Sequence, residues 1–149
     1  MEQSDALPQH ASAETRVAPT LLTVDAQEDL LATYVRLLTP RGYRVVTAPT
    51  RAAGLLAIER EAPRLVIADF RLPDGDGLDV VRAARSRVPP VPAIVVSGWS
   101  GEPYRRAAIG AGAAAFIPKP FATVPLLELI QSHVPVSPPL GGGPSWLSS

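Results

Sequence analysis

Several residue types on which protein chemistry often depends are missing or scarce in this chain. Cysteine is absent, which excludes disulfides, thiolate metal sites and a cysteine nucleophile. The two histidines, His10 and His133, are too few for most zinc sites or for serine–histidine catalysis. No apolar run approaches the length of a membrane span, and the first residues lack the basic and apolar regions of a signal peptide. We therefore expect a soluble, cytoplasmic protein that does not contact a membrane.

An excess of charge of either sign is also absent. The 14 Lys and Arg residues balance the 14 Asp and Glu residues. General nucleic-acid binding needs a basic surface that displaces counterions, so nucleic acid is not an expected partner. Lys119 is the only lysine in an arginine-rich chain. Because an ammonium and a guanidinium differ in shape and hydration, this indicates that position 119 needs an ammonium.

The apolar content is sufficient for one folded domain. The chain has 149 residues, of which 46% are hydrophobic, a size and composition typical of a single domain with its own core. Patterned sequence extends over residues 19–134. Residues 1–18 are predicted to be a flexible tail, as are residues 135–149, which are rich in Pro, Gly and Ser.

Short apolar runs alternate with helical patterns along the domain. The predicted strands are residues 21–24, 43–47, 65–68, 93–96 and 114–117. Four of them are nearly continuous hydrophobic runs, as in parallel strands that are covered on both faces, and 43–47 alternates as an edge strand does. Helices are predicted over 30–38, 51–61, 78–88, 103–111 and 123–134, with Val88 on the apolar face of the third and Thr123 as the cap of the last. This alternation predicts an α/β fold with one doubly wound parallel sheet.

Polar residues follow the predicted strands. Asp25 ends the first strand, Asp69 the third and Ser97 the fourth, and the fifth continues into Lys119. In an open α/β sheet, ligands bind beyond the carboxyl ends of the strands, so these side chains are expected to converge.

Two carboxylates, a hydroxyl and an ammonium suit phosphoryl transfer. Paired carboxylates repel each other unless a cation lies between them, and Mg²⁺ prefers such oxygen ligands. A carboxylate can attack phosphorus to form an acyl phosphate, and the hydroxyl and the ammonium can stabilise the transferred oxygens. These residues therefore predict Mg²⁺-assisted phosphoryl transfer onto an aspartate.

The chain resembles the CheY-like receiver domains of two-component response regulators over residues 20–134. The resemblance rests on LLTVDAQEDLL, RGYRVVTA, LVIADFRLPDGDGLDVV, PAIVVSG and AAFIPKPF, which occur in the order and at the distances typical of that family. It implies a flavodoxin-like sheet with strand order 2-1-3-4-5.

The same resemblance implies a role for each site residue. Asp69 corresponds to the phosphoacceptor, Ser97 and Lys119 to the groups that bind the phosphoryl oxygens, and Phe116 to the aromatic switch residue. The Mg²⁺ ligands would be Asp25, Asp69 and the backbone carbonyl of Arg71. A cis Lys119–Pro120 bond is also expected.

One position departs from the family pattern. An acidic pair usually follows the first strand, and the second acid contacts Mg²⁺, but here the pair is Asp25-Ala26. We therefore expect weakened Mg²⁺ binding and slower phosphorylation. Glu28, one turn further on, is an alternative source of the missing carboxylate, but we expect it to face solvent in the first turn of the helix.

The preferred function is a non-enzymatic, single-domain response regulator. A histidine kinase or a phosphotransfer protein would phosphorylate Asp69, and output would pass to a protein target, with no small-molecule substrate. The alternative is a phosphorylation-independent pseudo-receiver that acts as a protein-binding module, which Ala26 favours. A Mg²⁺-dependent hydrolase ranks last, because Arg71 stands where a second catalytic carboxylate is needed.

Several residues keep a structural alternative. Phe116 is either the switch residue or an ordinary core aromatic. Trp99 is a partner contact, a shield of the acyl phosphate or a packing residue. Asp74 and Asp76 are predicted to shape the turn before the third helix.

Overall fold

The computed structural model describes residues 17–136 and places a five-stranded sheet at their centre. The strands are β1 (Thr20–Val24), β2 (Arg44–Ala48), β3 (Leu65–Ala68), β4 (Ala93–Ser97) and β5 (Ala115–Pro118). They pair in the order β2-β1-β3-β4-β5, and every pair is parallel. The predicted α/β fold and strand order 2-1-3-4-5 are therefore confirmed.

Five helices cover both faces of this sheet. They are α1 (Glu28–Leu38), α2 (Arg51–Glu61), α3 (Leu78–Arg85), α4 (Glu102–Gly110) and α5 (Thr123–His133). Leu31 of α1 and Ile130 of α5 belong to one apolar cluster, whereas α2, α3 and α4 contribute to the cluster on the opposite face. Two apolar layers on one sheet make the fold doubly wound.

Strand position explains the hydrophobic patterns. Each residue of β1, β3 and β4 is buried, because these inner strands are covered on both faces. β2 lies at an edge, and four of its five residues are exposed or only partly buried. Its alternating sequence therefore corresponds to its edge position, as predicted.

Two details of the predicted helices are wrong. The third helix ends at Arg85 rather than at Val88, which is 96% exposed. The proline-rich segment that follows cannot continue a helix, so the apparent repeat at Val88 is accidental. Thr123 is the first residue of α5 and not its cap; Ala122 occupies the cap position without a side-chain hydrogen bond.

Most of the predicted tails lies outside the described residues. Within residues 17–136, no helix has the length and apolar character needed to cross a bilayer.

Candidate functional site

The four polar residues that follow strands lie at one end of the sheet. Asp25 and Asp69 immediately follow the adjacent strands β1 and β3, and the Asp69 amide donates to the Val24 carbonyl at 2.9 Å. Ser97 ends β4, and its carbonyl accepts from the Lys119 amide at 2.8 Å. Parallel pairing therefore aligns the carboxyl ends of all four strands, as the sequence argument requires.

The Lys119 ammonium bridges the two carboxylates. Its Nζ donates to Asp25 Oδ2 at 2.8 Å and to Asp69 Oδ2 at 3.1 Å. The three side chains are only 2% (Asp25), 14% (Asp69) and 17% (Lys119) exposed. Little solvent screening reaches such a cluster, so one cation offsets much of the repulsion between two nearby acids.

Burial and neighbouring charges act in opposite directions on Asp69. Desolvation raises the pKa of Asp69, the hydrogen bond and charge of Lys119 lower it, and the Asp25 carboxylate raises it; the net direction is upward. The buried Tyr34 also senses this charge, since burial first and the Asp25 and Asp69 carboxylates next raise its pKa. The negative charge of the two carboxylates is therefore felt by neighbouring groups even with Lys119 in place.

Gln27 is a site residue that sequence reasoning missed. Its side-chain oxygen accepts from Lys119 Nζ at 3.0 Å, and its amide donates to Asp25 Oδ1 at 2.8 Å. Only its position two residues after Asp25 hinted at this role. Gln27 thus adds a neutral acceptor to the contacts that hold the lysine.

The available oxygen donors fit a hydrated Mg²⁺ ion with few protein ligands. The Asp25 and Asp69 carboxylates are a pair of hard anionic donors, and Mg²⁺ usually takes one or two carboxylates and keeps several waters. Ala26 adds no side-chain donor. Across residues 17–136, no group of three or more His, Cys, Asp or Glu side chains could hold a metal.

Ser97 and Phe116 lie on the neighbouring strands β4 and β5, where Ser97 pairs with Pro118 and Phe116 with Val95. Ser97 is fully buried, and its Oγ accepts from the Trp99 amide at 2.9 Å. Phe116 is 8% exposed and belongs to the same apolar cluster as Phe70. Phe116 is thus a core aromatic in this conformation, and its switch role stays a prediction.

An aromatic row lies beside the site. The Arg71 guanidinium carbon is 4.7 Å from the centroid of the Trp99 ring, a cation–π geometry. Trp99 contacts Tyr104 edge to face, with ring centroids 5.7 Å apart, and Tyr104 contacts Phe70 in the same way at 5.6 Å. The sequence singled out Trp99 but gave no signal for its contact with Arg71.

The loop after Asp69 is fixed by two close contacts. A Cβ added at Gly77 would overlap the carbonyl oxygen of Asp69, so only glycine allows this approach. The Asp74 carboxylate accepts from the amides of Arg51 and Ala52, at 2.7 and 2.9 Å, which lowers its pKa. Asp74 therefore joins the loop to the start of α2, a contact that sequence reasoning missed.

The predicted turn role of Asp76 matches its hydrogen bond. Its Oδ1 accepts from the Leu78 amide at 2.7 Å, immediately before α3. The loop also contains a short antiparallel ribbon that pairs Arg71–Leu72 with Gly75–Asp76. These contacts set the backbone conformation of the loop that follows Asp69.

Comparison with known proteins identifies the family. The model of the response regulator receiver domain matches residues 21–131. RegA, a photosynthetic apparatus regulatory protein of Rhodovulum sulfidophilum, is 32% identical over 81% of this chain and 66% of its own length. KdpE, a transcriptional regulatory protein of Mycobacterium tuberculosis, is 34% identical over 76% of this chain and 50% of its own length. The chain thus spans about half to two thirds of the length of these relatives.

Solved structures agree with the sequence match. A CheY-like response regulator receiver domain protein from Methanospirillum hungatei has a TM-score of 0.72 and 32% identity, over 76% of this chain and 91% of its own. Receiver domains are signalling modules of two-component systems, in which phosphorylation and Mg²⁺ binding are general features. The chain belongs to the family of response regulator receiver domains.

Proposed function

We propose that Asp69 accepts a phosphoryl group from a histidine kinase or a phosphotransfer protein. The observation that carries this proposal is the Lys119 bridge, which holds an ammonium against both Asp25 and Asp69 at the end of the sheet. Asp69 is the more exposed of the two acids, 14% against 2% for Asp25. Asp69 is therefore the carboxylate that an incoming phosphorus atom can reach.

The chemistry follows from the positions of these groups. An Asp69 carboxylate oxygen forms a bond to phosphorus while the bond from phosphorus to the donor imidazole nitrogen breaks. Lys119 then stabilises the negative charge on the phosphoryl oxygens. Ser97 Oγ already accepts from the Trp99 amide, so its own proton can be donated to one of these oxygens.

A bound Mg²⁺ would neutralise charge on the transferred phosphoryl group. The residues proposed to hold it are Asp25, Asp69 and the backbone carbonyl of Arg71. Ala26 supplies no ligand, so more of the coordination shell is left to water. We infer that Mg²⁺ affinity is reduced for this reason, while Asp25, Asp69 and the Arg71 carbonyl remain the protein ligands.

Output is proposed to pass through protein contacts. Adding a phosphoryl group to Asp69 changes the charge beside Lys119, whose Nζ lies 3.1 Å from Asp69 Oδ2. Lys119 follows β5, and its amide donates to the carbonyl of Ser97, the last residue of β4. Phe116 of β5 is the proposed switch, and the face built from α4, β5 and α5 would carry the change to a protein target. Neither a small-molecule substrate nor nucleic acid is needed for this relay.

A second function is favoured by one specific feature. Ala26 removes a side-chain ligand, and Gln27 and Asp25 already hold Lys119. A receiver fold with this arrangement could bind its partner without phosphorylation. In that case Asp69→Asn would leave partner binding unchanged, whereas a phosphorylation switch would lose its response.

The direct test is intact-mass measurement after incubation with acetyl phosphate and MgCl₂, and after incubation with a cognate kinase. The expected result is the gain of one phosphoryl group, lost in Asp69→Asn and retained in Asp29→Asn, a control on the exposed first turn of α1. An unchanged mass with both donors would overturn phosphorylation and leave the binding module.

A further inference from the structure

Charge is segregated between the two ends of the domain. Strands begin and helices finish at the end of the sheet opposite Asp69, here called the basic end. The arginines at this end are Arg36, Arg41, Arg44, Arg60, Arg64, Arg85 and Arg87. The acids in the same region, among the described residues, are Glu59 and Glu61, and Glu61 is paired with Arg44 at 2.7 Å. The basic end therefore carries net positive charge although the whole chain is neutral.

Helix stability explains only part of this excess. Arg60 and Arg85 lie in the last turns of α2 and α3, where a cation interacts favourably with the helix dipole. Arg64 and Arg87 lie outside any helix. Within residues 17–136, neither side chain has an ion pair. Neither a helix dipole nor an ion pair within the described residues therefore accounts for these two arginines.

Both arginines line one groove. The groove has a volume of about 310 Å³ and lies between the end of α2, residues 87–92 and the end of α5. Its polar lining is Arg64, Arg87 and His133, and the remainder is apolar, including Ile58 and Val88. Of the described residues that line it, none is Asp or Glu.

The wall of the groove is preorganised. Pro89, Pro90 and Pro92 fix their own φ angles. The wall is also tied to the fold, since the Val91 amide donates to Ala84 at 2.9 Å and the Pro92 carbonyl accepts from Val66 at 3.0 Å. A surface that is rigid before binding loses little conformational entropy when a ligand arrives.

We propose that this groove docks an acidic protein segment that also carries an apolar side chain. Carboxylates of the segment would pair with Arg64 and Arg87, and its apolar side chain would cover Val88, which is 96% exposed. A single-stranded nucleic acid fits less well, because no Phe, Tyr or Trp among the described residues lines the groove for base stacking. The site is separate from Asp69 and does not depend on phosphorylation.

Fluorescence anisotropy with a labelled probe tests the proposal on the full chain. The probe is a short peptide of Glu and Ser with two central Leu residues, and a matched peptide has Gln in place of Glu. The acidic peptide is expected to bind and the Gln peptide to bind at least about tenfold more weakly. The double variant Arg64→Gln/Arg87→Gln should lose about tenfold in affinity, and Arg36→Gln/Arg105→Gln should keep it.

A second variant tests the same groove in case the double variant Arg64→Gln/Arg87→Gln does not fold. Val88→Glu places a negative charge on an exposed side chain, so it leaves the fold intact and is expected to weaken the acidic peptide about tenfold. Equal affinity for both peptides, or equal loss in the control double variant, would overturn the proposal. So would tighter binding of duplex DNA through Arg64 and Arg87, or self-association that these substitutions abolish, since the occupant would then be nucleic acid or a second copy.

Discussion

Lys119 Nζ lies 2.8 Å from the buried carboxylate of Asp25 and 3.1 Å from that of Asp69, so one ammonium is shared by two acids of unequal exposure. The nearly inaccessible Asp25 anchors the lysine. The more accessible Asp69 stays within its reach and remains open to a reacting group.

Loss of this ammonium should destabilise the fold at neutral pH. Lys119→Gln leaves two nearby carboxylates without a shared cation, and we expect the free energy of unfolding to fall by about 2 kcal/mol at pH 7. Urea unfolding followed by circular dichroism measures it. Arg105→Gln, which removes an exposed arginine from α4, should change stability by less than about 0.5 kcal/mol.

The stability difference between Lys119→Gln and the wild type should narrow as pH falls. Burial raises the pKa of Asp69, so the folded state takes up a proton at a higher pH than the unfolded chain. Folding stability therefore increases as pH falls through the folded pKa. Without Lys119, its hydrogen bond and its charge no longer lower the pKa of Asp69, so protonation of Asp69 stabilises the variant more than the wild type. A stability difference between variant and wild type that stays constant from pH 7 to pH 5 would contradict an electrostatic origin of the destabilisation.

The rate of Asp69 phosphorylation should depend on pH in the direction opposite to folding stability. Asp69 must be ionised to attack phosphorus, and its raised pKa means that protonation begins at a higher pH than for an exposed aspartate. Phosphorylation by acetyl phosphate should therefore slow as pH falls towards the acid range. Lys119→Gln should move this loss to higher pH as well as lower the rate. The initial rate of phosphoryl incorporation, followed by intact mass across a pH series, checks both expectations.

Restoring the second acid should strengthen the metal site. Ala26→Asp adds a carboxylate beside Asp25, and we expect Mg²⁺ affinity to rise about tenfold, equivalent to about 1.4 kcal/mol. Titration of MgCl₂ followed by tryptophan fluorescence measures the affinity, with isothermal titration calorimetry as a second method. Asp29→Asn should bind Mg²⁺ as the wild type does. Equal affinities for wild type and Ala26→Asp would show that the missing carboxylate does not limit the site.

The fold could be predicted from the sequence because buried parallel strands leave a simple pattern. Continuous apolar runs gave β1, β3 and β4, and the alternation of β2 gave the edge. Val88 was misassigned to the third helix because an apolar residue at helical spacing looks the same whether a helix continues or has already ended. The 96% exposure of Val88 in the structure separates the two cases, and the prolines that follow explain why no helix continues through this segment.

The placement of Asp25, Asp69 and Lys119 could also be predicted, because residues after parallel strands share one end of the sheet. The contacts of Gln27 and Asp74, and the contact between Arg71 and Trp99, could not be predicted. Each depends on a side-chain direction or on a contact between loops that no spacing rule encodes. Their positions follow from packing, which the sequence specifies only through the whole fold.

Glycine is required at position 77 by the backbone of Asp69. A Cβ there would overlap the Asp69 carbonyl oxygen, which is backbone and cannot move aside as a flexible side chain can. Gly77→Ala should therefore lower the free energy of unfolding by about 3 kcal/mol. Gly110→Ala is the matched control, because nothing lies within 4 Å of a Cβ at that position. Thermal unfolding of both variants should show a large fall in Tm for Gly77→Ala alone.

The Arg71–Trp99 contact should protect a phosphoryl group on Asp69 from water. The guanidinium lies 4.7 Å from the Trp99 ring centroid, and Arg71 is two residues beyond Asp69 while Trp99 is two residues beyond Ser97. Removing either partner frees the other, so Trp99→Ala and Arg71→Ala should each speed hydrolysis of the aspartyl phosphate severalfold. The double variant should be no faster than either single one, because both changes break the same contact. Trp99→Phe keeps an aromatic face and should fall between wild type and Trp99→Ala. Loss of the added phosphoryl mass with time, after removal of acetyl phosphate, measures each rate; additive effects would mean that the two side chains act separately.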